Sequence, residues 1–264
     1  MTILIAAVVA GLALGLTQGL IGAGGAILAV PVLVYAFGQS PQDATTLALA
    51  VVAASSLAGV LGRRGNAEAD RGRMLRTGLV LGLASVPGVL GGTALNRVAS
   101  ADLLLAGYAL LLLIAAVTLL RRRPGSGGVV GPRDRRALWR RVAPLGLVIG
   151  VLGGLFGVGG GFLLVPGLAV LLAQPTSAAI ATALVAQIVT SLVALAAHLG
   201  SGGGVDPLLA VLLATSAGAG AIGGARLGGR LGDRGLERAF ALVVAGVATA
   251  MLAGTVPAIL GPGQ

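Results

Sequence analysis

Long apolar runs separated by short breaks dominate the chain. No acidic or basic residue occurs from Met1 to Gln42, Asp43 alone interrupts the next run up to Arg63, and only His198 does so between Val142 and Val205. A membrane-spanning helix needs about 20 consecutive apolar residues, and these runs exceed that length. Charge, proline and glycine divide the first half into segments near 3–20, 24–37, 43–62, 74–96 and 102–120, and the second into 142–156, 160–173, 177–200, 206–228 and 235–254. The pattern predicts an all-α fold, a polytopic transmembrane helical bundle. Segments 24–37 and 160–173 are interrupted by Pro31 and Pro166. Fourteen helical residues rise only about 21 Å, so these two are expected to be broken or re-entrant pieces. The expected total is eight to ten membrane segments.

The two series of segments are copies of each other. Gly22-Ala-Gly-Gly-Ala-Ile-Leu-Ala-Val-Pro31 matches Gly157-Val-Gly-Gly-Gly-Phe-Leu-Leu-Val-Pro166 at a constant offset of 135, and Gln39 falls on Gln174. After a small insertion, Ala44-Thr45-Thr46-Leu47 lies against Ala181-Thr182-Ala183-Leu184, and Gly91-Gly92 later faces Gly223-Gly224. The expected organisation is a first transmembrane repeat at 1–120, a linker at 121–141 with eight arginines among prolines and glycines, and a second repeat at 142–264.

Charge adds orientation. All eighteen basic residues are arginine, and they concentrate in the breaks: five in 62–76, eight in 121–141 and four in 226–238. Arginine-rich short loops stay cytoplasmic. Five crossing segments per half put all three loops inside, invert the second repeat relative to the first, and leave both termini outside. The net charge of +10 therefore reads as a topology signal with secondary contact to anionic lipid, and no nucleic-acid partner is expected. A mean hydropathy of +1.02 with 10% charged residues fits the bilayer as the medium, since soluble domains carry roughly a quarter charged residues. The first basic residue is Arg63, so the N-terminus reads as a retained span of a multi-pass inner-membrane protein rather than a signal peptide. Cysteine is absent, which excludes disulfides, thiolate metal sites and thiol nucleophiles.

The glycine joints are the candidate chemistry. At Gly22, Gly24 and Gly25, and again at Gly157, Gly159, Gly160 and Gly161, the chain leaves one helix and enters another within a few residues. First-turn N–H groups are unpaired and carry partial positive charge, so an anion can sit there without a membrane-embedded cation. The competing reading is close helix packing, which glycines four residues apart also allow. It is the better one for Gly88, Gly92, Gly220 and Gly224, and it applies to Gly11, Gly15 and Gly19 and to Gly153, Gly157 and Gly161. Gln18 before the first joint, Thr45, Thr46, Ser55 and Ser56 in the first half, and Thr182, Gln187, Thr190 and Ser191 in the second are neutral donors that could line the same path. Serine and threonine equally satisfy their own helix backbone. Gln187 is the strongest single candidate, because an amide inside a bilayer needs a partner. Asp43 reads as a helix cap and His198 as an anchor at the outer interface. Without a mid-membrane carboxylate pair, no acidic proton relay is expected, and a coupling ion, proton or other, stays open.

The duplicated glycine element, the following glutamine, and the Ala-Thr-Thr-Leu or Ala-Thr-Ala-Leu helix resemble the sulfite exporter TauE/SafE family, over nearly all of Gly11 to Leu252. The resemblance implies a permease for sulfite, sulfoacetate or another organosulfonate, with a small anionic substrate and no cofactor. Where many relatives carry histidine or tryptophan in the first repeat, Arg63-Arg64-Gly65-Asn66 stands here, while His198 keeps that position in the second. The alternatives are a permease of the same fold for another small metabolite and a non-transporting membrane scaffold. One histidine and no cysteine disfavour a metal cargo or metal site. An enzyme is not expected either, since His198 has no Gly-x-Ser-x-Gly nucleophile to serve. Oligomeric state has no signature in the chain.

Overall fold

The computed structural model describes residues 2–22, 24–63, 68–100, 103–104, 107, 110, 135–156, 163–165, 167–168, 175–200, 205–231, 234–236, 238 and 242. Among the described residues all regular structure is helical: α1 (Thr2–Ile21), α2 (Gly24–Tyr35), α3 (Pro41–Gly62), α4 (Glu68–Val98), α5 (Arg135–Phe156), α6 (Thr176–Leu199) and α7 (Pro207–Gly228). Five of them, α1, α3, α4, α6 and α7, are long and apolar enough to cross a membrane, and α5 has a shorter apolar stretch, Ala143–Phe156. The segments near 102–120, 160–173 and 235–254 lie mostly outside the described residues.

Local chemistry sets the helix ends. Gly22 closes α1 with φ +71°, the left-handed conformation that glycine adopts without strain, and its N–H bonds the Gln18 carbonyl at 2.7 Å. Ser40 caps α3: its Oγ accepts from the Asp43 N–H at 3.2 Å and donates to Asp43 Oδ2 at 2.7 Å. The cap is thus Ser40, with Asp43 answering it from the first turn, and Pro41 fills the position where a missing N–H costs nothing. Asp206 and Pro207 repeat the device on α7, the carboxylate accepting from Leu208 and Leu209. α2 is 12 residues long and holds Pro31 inside it, as the short interrupted segment predicted. α5 begins at Arg135, within the stretch read as linker; Ala137, Leu138 and the arginines are good helix formers.

The outer surface is the apolar one. Ile3, Ile5, Val9, Leu83, Leu208 and Val211 are exposed, whereas Gln18, Ser55, Ser56, Thr182, Gln187 and Ser191 are fully buried. That arrangement suits hydrocarbon as the surrounding medium.

The helices pack in two groups that each mix the halves. α1 and α3 join α7, with α2 against α1 and α3; α5 and α6 join α4. Within the first group all long helices run in one sense. Gly11 meets Leu213 and Ser216, Gly15 meets Ala217, and Gly19 meets Ala221, so α1 and α7 advance together; Ala58 meets Gly218 and Gly62 meets Ile222, so α3 and α7 do too. The second group behaves alike: Gly88 meets Leu147 and Gly92 meets Val151, while Gly78 meets Val185 and Gly82 meets Val189. The main packing between groups is α3 on α6, and there the sense reverses, because Gly59 sits at Leu184 while the earlier Ser56 shares Gln18 with the later Gln187.

Glycine makes the two seams possible. A Cβ at Gly15, Gly19, Gly88, Gly92, Gly150, Gly220 or Gly224 would strike a neighbouring backbone carbonyl. The packing reading of Gly88, Gly92, Gly220 and Gly224 therefore holds. On α5 the stripe is Gly146, Gly150 and Gly154, the equivalents of Gly11, Gly15 and Gly19 at the offset of 135, one residue out of register with a stripe through Gly153.

Candidate functional site

A buried amide cluster occupies the joint between α1 and α2. Gln18 sits one turn before the end of α1, and its Nε2 donates to Gln187 Oε1 at 2.6 Å and to Ser56 Oγ at 3.1 Å. Gln187, the twelfth residue of the 24-residue α6, donates from its Nε2 to the Gly22 carbonyl at 2.6 Å. The left-handed turn at Gly22 aims that carbonyl at α6. Gly25 closes the other side: a Cβ there would lie 2.8 Å from Gln18 Cβ and 2.8 Å from the Leu14 carbonyl. Ile180 packs on Gly22, so the joint is held against α6 by one apolar contact and one amide.

Of the residues singled out in the sequence, Gln18, Gly22, Gly25 and Gln187 come together here with Ser56, and Gly24 starts α2 beside them. Other hydroxyls turn to their own helices. Thr45 donates to the Pro41 carbonyl, Thr46 to Gln42, Ser55 to Val51 and Thr190 to Ala186. The Thr182 and Ser191 hydroxyls are buried and have no partner among the described residues. Ser191 shares a helix face with Ile180, Leu184 and Gln187, the face that meets α3 and the joint; Thr182 is on the side of α4, where its carbonyl approaches Gly78. Gly157, Gly159, Gly160 and Gly161 lie outside the described residues.

Three polar features were not singled out in the sequence for the roles they have. Arg63 follows α3 and donates from Nη2 to the Gly19 carbonyl at 3.1 Å, while its Nε is buried without a partner among the described residues. Burial lowers its pKa to about 10, which leaves it charged at neutral pH. Asn96, near the end of α4, donates from Nδ2 to the Leu155 carbonyl at 2.6 Å. His198 is 5% exposed rather than an interfacial anchor: its Nδ1 is 2.9 Å from the Ala194 carbonyl and its Nε2 3.4 Å from Asn96 Oδ1. A lone amide closing a glycine-rich span was the one signal that could have drawn attention to Asn96.

Chemically the joint offers neutral donors. Two carboxamides, a serine that accepts from Gln18 and keeps its own proton to give, and the first-turn amides of α2 can present N–H or O–H to an oxyanion. Arg63 is engaged one turn away on α1. An apolar outer surface around a buried polar joint defines a helical bundle suited to embedding in a membrane. The sulfite exporter TauE/SafE family model matches residues 7–251, and the chain belongs to that family of membrane transporters. It is 28% identical over 253 residues to a probable membrane transporter protein of Xylella fastidiosa strain Temecula1, covering 89% of each chain. It is also 27% identical over 231 residues to the probable membrane transporter protein YunE of Bacillus subtilis, covering 80% of this chain and 83% of that one. No solved structure matches it.

Proposed function

We propose that the protein is a secondary transporter that moves a small sulfur-containing or organic anion (sulfite, sulfoacetate or another organosulfonate) across the inner membrane by alternating access. The buried cluster of Gln18, Ser56, Gln187 and Gly22 at the α2 entrance carries this reading. Substrate oxygens would take the donors of Gln18, Ser56 and Gln187 and the first-turn amides at Gly24 and Gly25, with Ser191 further along the same face of α6. Gly159, Gly160 and Gly161 are assigned the matching role in the second half by the sequence repeat. Neutral donors in a buried site favour an anion whose charge is spread over several oxygens, as in a sulfonate.

The repeats at 1–120 and 142–264 are read as an inverted pair around a cytoplasmic linker at 121–141, with eight to ten membrane segments. Support comes from helix sense: α1, α3 and α7 run one way and α4, α5 and α6 the other, so among the described helices α1 opposes α5, α3 opposes α6 and α4 opposes α7, their sequence equivalents. Alternating access then becomes movement of one group on the other across the α3–α6 crossing. Gln187 bonds both Gln18 and Gly22 across that boundary, so it is the residue that substrate entry would rearrange.

The test is flux of sulfite, sulfate, taurine and sulfoacetate in liposomes containing the purified protein, with and without a proton gradient. Flux of sulfite or sulfoacetate that saturates with concentration and falls in Gly24→Leu supports the reading. Absence of flux for all four anions refutes it.

A further inference from the structure

The two halves each place a basic residue at the end of the corresponding helix: Arg63 follows α3 and His198 lies in the last turn of α6, 135 residues apart like the glycine elements, while Ala44–Leu47 and Ala181–Leu184 at the start of those helices stand 137 apart. Their bonds end at matching places. Arg63 reaches the Gly19 carbonyl directly, in the last turn of α1. The imidazole of His198 is shorter and lies 3.4 Å from Asn96 Oδ1, to which Nε2 donates when it carries the proton, and the Asn96 amide holds the Leu155 carbonyl in the last turn of α5. At the offset of 135, Gly19 corresponds to Gly154, one residue before Leu155. Last-turn carbonyls have no intrahelical N–H to accept from, so each is open to an outside donor. Each also belongs to the helix that leads into a glycine joint, at Gly22 in one half and Gly157 in the other.

We propose that Arg63 and the His198–Asn96 pair are equivalent end-locks: positioning residues that fix the helix ahead of each glycine joint, one at each face of the protein. The proposal rests on the transporter reading, in which those joints border the substrate path. α1 and α5 run in opposite senses, so their last turns lie at opposite ends of the bundle, and each lock closes one end. The second half needs a relay because histidine is too short to reach α5, and α4 supplies it through Asn96. Among the described residues the buried Nε of Arg63 has no partner, which leaves the guanidinium a donor beyond its bond to the Gly19 carbonyl.

The chain has no cysteine, so single reporters can be read without background. Ser56→Cys reports on the α1 joint, and Thr93→Cys, beside Gly154, on the end of α5. Labelling by a small thiol reagent is followed in membranes. Arg63→Ala should speed labelling of Ser56→Cys about tenfold, equivalent to a lock of ~1.4 kcal/mol, and leave Thr93→Cys unchanged. Asn96→Ala should do the reverse. The decisive variant is His198→Arg in the Asn96→Ala background: an arginine at the position equivalent to Arg63 should span to the α5 carbonyl itself and restore protection of Thr93→Cys. Should Arg63→Ala fail to accumulate, Arg63→Lys is measured in its place and should label Ser56→Cys at an intermediate rate. The proposal is overturned when either variant exposes both reporters alike, when neither reporter responds, or when His198→Arg gives no rescue. Labelling needs no flux, so these outcomes are separate from the liposome test of sulfite and sulfoacetate, whose failure would remove the transport role and leave the locks as structural ties.

Discussion

The α1–α7 seam and the α3–α6 crossing are both helix contacts inside the bundle, yet they are built from opposite materials. In the seam, Gly11, Gly15 and Gly19 lie on the backbone of Leu213, Ala217 and Ala221, with no side chain between them over most of its length. Contact of backbone on backbone has one geometry, and any shift along it drives carbonyls into Cα atoms. At the crossing, Leu184 covers Gly59, Gln18 donates a hydrogen bond to Gln187, and the Ser191 hydroxyl has no partner among the described residues. Side chains there can change partners without moving a helix axis far, which is how packed helices slide. Under the proposed alternating access, the seams would hold two rigid bodies together and the crossing would be the surface between them. Each group takes helices from both halves, so the moving parts in that mechanism would not be the sequence repeats.

The largest expected effect is on the seam. Gly15→Leu or Gly92→Leu has no rotamer free of backbone and should cost more than about 3 kcal/mol, seen as loss of folded protein in detergent thermal melts. Gly91→Ala, with nothing within 4 Å of its Cβ, should melt as the parent does. Equal tolerance at Gly15 and Gly91 would dissolve the distinction between seam and surface.

Cross-links probe the same contrast in working protein. A Cβ on Gly218 would stand 3.8 Å from Ala58 Cβ, close to the mean of about 3.8 Å in disulfides, so Ala58→Cys with Gly218→Cys should oxidise readily within one body and keep flux. Gly59→Cys with Leu184→Cys, bridged by mercuric ion, ties the two bodies together and should stop flux until a thiol removes the metal. Flux through the second cross-link would place the moving surface elsewhere.

The sequence made the bundle legible because hydrocarbon imposes one rule over long stretches, and no charged side chain from Met1 to Gln42 is a signal that local context cannot obscure. The duplicated glycine element was equally plain, and so was Gln187, since a buried amide must find a partner. What could not be read was which partner. Gln187 bonds Gly22, 165 residues away, and the pairing depends on a crossing between halves that no local pattern encodes. Thr45, Thr46, Ser55 and Thr190 show the converse: their hydroxyls reach back one helical turn, an option always open to these residues and invisible in a list of polar positions. His198 read as interfacial because it ends a span, whereas Asn96 on α4 draws it inward.

Gln187→Leu should act mainly on function. It leaves the Gly22 carbonyl and the Gln18 amide short of a partner in a buried site, a cost of about 1–3 kcal/mol in melting stability, and flux should fall by more than about tenfold. Gln187→Glu keeps an acceptor for Gln18 but loses the donor to Gly22, and it adds a negative charge where the substrate is negative. Its flux should be lower still at comparable protein levels. If Gln187→Glu transports as well as the parent, the amide cluster is not on the path.

The smallest effect separates two hydroxyls that look alike by burial. Thr182 and Ser191 are both fully buried on α6 without a partner among the described residues, but Ser191 faces the crossing and Thr182 faces α4. Removing an unsatisfied buried hydroxyl costs little and can stabilise, so Ser191→Ala and Thr182→Val should each shift stability by no more than about 1 kcal/mol. Only Ser191→Ala should alter transport, by a change of a few-fold in apparent KM for the anion carried, because a hydroxyl on the crossing face with no partner among the described residues has a donor to offer a substrate oxygen. Thr182 lies on the α4 side of α6, within one packed group, and should meet no substrate. If the two substitutions change KM equally, or if Thr182→Val alone does, the polar face of the crossing is not where the anion passes, and the path runs between α4 and α6 instead.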